Sequence, residues 1–430
     1  MYLSATFLFM NVLIKQAVIV SASSPFNGQS KDIFIKDGFI AIIADEINEP
    51  SDQLIQQEGL HVSIGWMDSF AHFCDPGFEY RETLETGTMA AAAGGFTDVM
   101  IVPNTNPVVH TKSQVEYIVQ KSAVSGVKVH PIGAVTKNAA GKELAEMYDM
   151  ANSGAVAFSD GINAIQDGGL LLKALQYVKT IDGTVIQIPE DKSIGSGGLM
   201  NEGIISTQLG LPGKPAMAEE LMVARDIKLT RYADSKLHFT GVSSSKSLEY
   251  IKRAKAAEVK ITCSVTPYHL FFCDEDLQQY DTNLKVNPPV RTTADRLALV
   301  QGLLDGTIDC IASHHIPQNY DSKVCEFEYA KNGMIGLESL FGVVWSLVNE
   351  QTTIGDLVEK LSVNPRSIFG LSMPEIKEGA AATLTLFNPE TECTFEETNI
   401  QSKSKNSAFI GKQLKGKVIG IINGTKTFFN

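Results

Sequence analysis

The stretch Asp68-Ser-Phe-Ala-His-Phe-Cys-Asp-Pro-Gly77 gathers ionisable and ligand-type side chains directly after the apolar run Val62-Ser-Ile-Gly-Trp-Met67. Alternate residues of a strand face the same way, so two histidines one residue apart at a strand end could both reach one metal ion. Phe70 stands where the first of such a pair would be, and His72 is left alone. The other candidate donors are scattered: His314 and His315 side by side, Cys74, and Asp160. Adjacent strand residues point apart, so His314 and His315 are not expected to chelate one ion together. No Gly-x-Ser-x-Gly elbow supports a serine nucleophile. Pro212-Gly-Lys-Pro215 lacks phosphate-loop spacing and reads as a turn. Ser243-Ser-Ser-Lys-Ser247 reads as a helix start with a capping serine.

Such a cluster must be held by a scaffold, and from about 62 to 365 strand-like and helix-like segments alternate. Strand candidates after the first are 98–102, 127–132, 155–158, 184–188, 237–240, 260–265 and 308–313. Helical patterns lie between them at 170–180, 216–232, 245–257, 294–304 and 337–348. Eight such units predict an α/β chain folded as a (β/α)8 TIM-like barrel, with its chemistry at the C-terminal strand ends. The two chain ends have a different texture. Short strands are expected at 12–20, 32–36 and 39–43, and again at 382–387, 408–411 and 417–422. Residues 10–60 and 370–430 are therefore expected to form a small flanking β-sandwich around a barrel of residues 61–369. Residues 1–9 read as a non-functional extension ahead of a translation start at Met10.

The chain has 430 residues, 44% of them hydrophobic and 20% charged, enough to bury a large core. Its net charge of −13 argues against nucleic acid or an anionic membrane as the main partner. Six cysteines include no C-x-x-C pair, which fits a reducing cytoplasm without a disulfide framework.

Several motifs together resemble the dihydroorotase family of the amidohydrolase superfamily, in its allantoinase- and hydantoinase-like branch. They are Asp75-Pro-Gly-Phe-Glu-Tyr-Arg-Glu-Thr-Leu-Glu-Thr-Gly87 with Ala90-Ala-Ala-Ala-Gly-Gly-Phe-Thr97, Pro103-Asn-Thr-Asn-Pro107, Val265-Thr-Pro-Tyr-His-Leu270, Leu284-Lys-Val-Asn-Pro-Pro-Val-Arg291, and Asp305-Gly-Thr-Ile-Asp309 with Ala312-Ser-His-His-Ile-Pro317. The resemblance covers nearly everything after Met10. It implies a barrel with a flanking β-sandwich, and in active members reversible hydrolysis of a cyclic amide by bound zinc.

The same resemblance marks this chain as degenerate at each catalytic position. The family His-x-His is Phe70-Ala-His72, and the arginine that grips the substrate carboxylate is Cys74. The bridging acidic position is Gly161, the histidine before Glu-Asp is Ile188, and a ligand histidine is Gly241, although His238 survives. The catalytic aspartate is His314, and the histidine closing that loop is Gln318. Asn104, Asn287 and Arg291 remain as substrate-side groups. Catalytic zinc needs about three protein ligands, and His72 with His314 does not meet that need. The expectation is an inactive dihydroorotase-like protein of pyrimidine biosynthesis, without a cofactor, forming a homodimer. By resemblance to inactive chains of the family, its role is structural or regulatory, supporting aspartate transcarbamoylase. Two alternatives stand beside it. One is an active cyclic amidohydrolase with a reduced or relocated zinc site near His72 and His314. The other is a sensor holding a small carboxylate on Asn104, Asn287 and Arg291.

Overall fold

The computed structural model describes residues 11–430, so the expectations for residues 1–9 and for Met10 lie outside the described residues. Eight parallel strands form the central sheet, in chain order Trp66–Ala71, Phe96–Ile101, Lys128–Gly133, Ala157–Phe158, Thr184–Gln187, Lys236–Phe239, Ile261–Val265 and Cys310–Ile311. Each pairs with the next, and intervening helices cover the outside. This is the (β/α)8 barrel. Its first and last strands meet through an Ala71–His315 bridge and a bond from the His72 N–H to the His315 carbonyl. Asp68 completes the seam. Its carboxylate accepts from the Ser313 N–H at 2.6 Å and from Ser313 Oγ at 2.8 Å, deep in the protein. Burial pushes its pKa up to about 6, against the pull of those bonds. Asp68→Ala strands a buried N–H and a hydroxyl, and is expected to cost about 3 kcal/mol in urea unfolding. Asp68→Asn, which keeps an acceptor, should cost clearly less. Equal stability of the alanine variant and the parent would show that this clasp does not hold the barrel shut.

The chain ends build a second eight-stranded sheet that closes over its own apolar face. Val12–Val20, Ser30–Lys36, Phe39–Ala44, Gln53–Gln56 and His61–Ile64 come from one end, and Thr383–Thr394, Gln413–Asn423 and Lys426–Phe429 from the other. The two groups join where His61–Ile64 runs antiparallel to Leu384–Phe387.

Two sequence expectations change here. Val62–Met67 is not one strand. The Gly65 N–H donates to the Thr383 carbonyl and its own carbonyl accepts from Arg366, so the chain leaves the flanking sheet there and enters the barrel at Trp66. Residues 408–411 form a turn, not a strand. Phe409 is fully buried against Phe271 and Phe272, so the apolar pattern marks a core plug rather than a pleated surface. Among the described residues, no helix is long and apolar enough to cross a membrane.

Candidate functional site

Barrel strands present alternate side chains inward, and the inner space below the C-terminal rim is where this fold keeps reactive groups. Here that space is filled with hydrocarbon. Phe70 and Ile188 are buried in one apolar cluster with Met67, Met100, Val102 and Ile132. The His314 ring stacks on Phe70, with centroids 4.5 Å apart and planes 29° apart. His314 has a left-handed backbone (φ 42°), which turns its ring inward. The ring occupies the room a side chain at position 241 would need, since a Cβ on Gly241 would sit 2.6 Å from His314 Cε1.

The nitrogens are committed as well. His238 lies between Thr262 Oγ1 (2.9 Å) and Ser264 Oγ (3.1 Å). Ser264 Oγ donates to Thr240 Oγ1 at 2.9 Å, which leaves the Thr240 hydrogen for His314 Nε2 at 2.7 Å. That order puts the His314 ring proton on Nδ1, a buried atom without a hydrogen-bond partner. Burial drives the His238 and His314 imidazoles down to about 3, so both are neutral at pH 7. His72 accepts the Cys74 N–H on Nδ1 at 2.9 Å, and its ring also hydrogen-bonds the Asn104 main chain. A neutral imidazole has one ring lone pair, and in His72 it is used. Burial, and then the charge of Arg81, press its pKa to about 3.

The acidic bridging position is closed in a similar way. Gly161 (φ +63°) faces Asn104 Oδ1 so closely that a Cβ would lie 1.7 Å from it. Asn104 in turn donates to the Asp160 carbonyl at 3.0 Å and accepts the Ile162 N–H at 2.9 Å, so it braces the loop. Asp160 bonds Thr136 through both oxygens, at 2.8 Å to the N–H and 2.5 Å to Oγ1. Cys74 is buried, and burial pushes its thiol up to about 12. His315 turns away from His314 toward Glu82, 3.4 Å from it. No group of three or more His, Cys, Asp or Glu side chains is placed to hold a metal among the described residues. A catalytic zinc does not fit this donor set.

What remains open is a cavity of about 320 Å³ above this plug, lined by His72, Arg81, Glu190, Lys192, Lys214 and Tyr268, with Asn287 and Gln318 at its wall. Asn287 is tied to a salt bridge there. Its Nδ2 donates to Glu190 (2.8 Å), its Oδ1 accepts from Lys214 (2.7 Å), and Lys214 meets Glu190 at 2.5 Å. Burial opposes ionisation of Glu190, but Lys214 beside it prevails and holds the carboxyl below its usual range. Arg291 does not line the cavity. It is buried behind the wall, bonded to Ser243 Oγ, Asn201 Oδ1 and the Lys214 carbonyl. Gln318 bridges Arg81 and the Asn332 carbonyl. Sequence reasoning missed Arg81, Glu190, Lys192, Lys214 and Tyr268 as cavity residues. Arg81, Glu190 and Tyr268 lay inside motifs already singled out, whereas Lys214 lay in a segment read only as a turn. That segment pairs as Gly213–Lys214 with Met200–Asn201 and so carries the lysine inward.

Known proteins give the following likenesses. A family model described as Dihydro-orotase-like matches residues 61–247. The dihydroorotase of Acetivibrio thermocellus is 41% identical over 417 residues, 96% of this chain and 98% of that one. The dihydroorotase of Geobacter metallireducens is 40% identical over 423 residues, 98% of this chain and all of that one. Among solved structures, the L-hydantoinase of Arthrobacter aurescens superposes with a TM-score of 0.85 at 22% identity, covering 97% of this chain and 96% of its own.

Proposed function

Since this chain belongs to the dihydroorotase family, we propose that it acts in pyrimidine biosynthesis as a non-catalytic member, kept for its shape rather than for hydrolysis. One observation carries the reading. Phe70, Ile188 and His314 pack together where a zinc site would stand, and the glycines at 161 and 241 face side chains that have taken the vacated room. Without a metal to lower the pKa of water, from near 16 to about 7, the site has no strong nucleophile at neutral pH. The neutral imidazoles of His72, His238 and His314 do not compensate. Each is enclosed, and only His72 borders the cavity, with its lone pair already engaged.

The role is structural or regulatory, with aspartate transcarbamoylase as its partner. The partner rests on the resemblance to inactive chains of the family, and the closed site supports the absence of turnover. Purified full-length protein, supplied with zinc and then dialysed, is expected to retain less than about a tenth of an equivalent of metal. It should neither open dihydroorotate nor cyclise N-carbamoyl-aspartate, and it should co-elute with aspartate transcarbamoylase. Turnover at ordinary enzyme rates, roughly 1–10³ s⁻¹, would overturn the reading.

A further inference from the structure

We infer that the barrel-mouth cavity is a binding site for a small dicarboxylate, with Arg81 and Lys192 as its two anion anchors. The chain as a whole carries −13, yet the cavity is lined by three cations, Arg81, Lys192 and Lys214, against one carboxylate, Glu190. Lys214 and Glu190 neutralise each other at 2.5 Å. Arg81 and Lys192 form no ion pair among the described residues, although Lys192 lies near enough to Glu190 to help hold its carboxyl down, so the lining keeps an excess of positive charge.

Arg81 is the more telling of the two. Its guanidinium lies over the Phe78 ring, 4.6 Å from the centroid, which fixes its plane. No carboxylate lies within salt-bridge distance of it among the described residues. Its nearest acceptor is Gln318 Oε1, at a long 3.4 Å, and its buried Nε has no partner. A partly buried guanidinium short of acceptors is costly unless an anion completes it, and its planar fork matches a carboxylate. Lys192 Nζ has a single neutral partner, Asn163 Oδ1, at 3.1 Å. The lining also includes Ile162, Ile316 and Tyr268, apolar surface that suits a short hydrocarbon spacer. A volume of about 320 Å³ falls at the small end of the usual range for ligand sites.

This deepens the non-catalytic reading, because the ligand is held and not converted. The test is calorimetric titration of the full chain with succinate, with acetate and inorganic phosphate as controls, at about 20 and about 200 mM salt. Succinate should bind, more weakly at high salt, and acetate should bind far less. Arg81→Gln should weaken succinate about tenfold and Lys192→Gln about threefold, with unchanged melting curves. Arg81→Lys, which keeps the charge without the fork, should fall between. No heat with succinate, an unchanged affinity in both glutamine variants, or phosphate binding as tightly as succinate would overturn the inference. The exposed Lys192 keeps the test valid if the Arg81 variants fold poorly. Failure here is separable from failure of the non-catalytic reading, which shows only as conversion of dihydroorotate.

Discussion

Gly241→His, a single return toward the family's ligand set, lowers stability by about 3–4 kcal/mol. Two costs add. A side chain at φ +69° pays about 1–2 kcal/mol of left-handed strain. The new Cβ, built 2.6 Å from the His314 ring, adds an overpacking cost of about 1–3 kcal/mol in a buried core. His314→Asp removes the obstructing ring, at its own cost of a lost stack on Phe70. The double variant should therefore lose less than the two single losses combined, with a coupling of about 1–3 kcal/mol in urea unfolding of all four proteins. Additivity within about 0.5 kcal/mol would show that the ring and the glycine are not locked together. The same argument applies to Gly161→Asp against Asn104, where the clash is closer still.

Acidification from pH 7 to pH 5 is expected to remove several kcal/mol of stability. Four imidazoles are buried and neutral. His72, His238 and His314 are driven to about 3 and His269 to about 4, each chiefly by burial. Their folded pKa values lie below the unfolded value of about 6.5. Their stabilising effect is therefore complete above that value and is lost as the pH falls toward 3–4, because the unfolded chain takes up protons that the folded one refuses. At pH 5 this amounts to about 2 kcal/mol for each, or about 8 in all. Carboxyls raised by burial act in the opposite sense. Asp68 and Asp226 go up to about 6, and the folded state, which binds their protons first, regains about 1–2 kcal/mol from each, with Asp160, Asp274 and Glu338 shifted in the same direction. Asp98, held near 2 by His130 and Arg366 against the effect of burial, contributes only below this window. Urea midpoints at pH 7, 6 and 5 give the measurement. A midpoint that does not fall between pH 7 and 5 would mean that these rings are solvated or already charged.

The fold was legible because its signals are local. Parallel barrel strands buried on both faces read as short continuous apolar runs, and helical periodicity fills the gaps between them. The exceptions have identifiable causes. Gly65 divides an unbroken apolar run between two sheets because of hydrogen bonds to residues some three hundred positions away, which no local window contains. The segment around Phe409 is apolar because one ring plugs a gap. The candidate site was legible as a set of losses, since Phe70, Ile188 and Gly241 are visibly the wrong side chains for binding metal. What replaced them was not. That His314 swings onto Phe70, that Asn104 fills the space at Gly161, and that Arg291 works behind the wall depend on contacts between distant segments. Asn104, Asn287 and Arg291 looked available because their chemistry suits an anion, but tertiary hydrogen bonds had already engaged them.

The flanking sheet has a consequence for how the chain is made. Strand His61–Ile64 finds one of its neighbours in Leu384–Phe387, and the Trp66 N–H donates to Thr385 Oγ1, 319 positions further on. While the ribosome is still at work, that early strand has an unsatisfied edge, and a strand made more than three hundred residues later is what seals it. Termination ahead of Leu384 therefore leaves an adhesive margin open at His61–Ile64, far in sequence from the lesion itself.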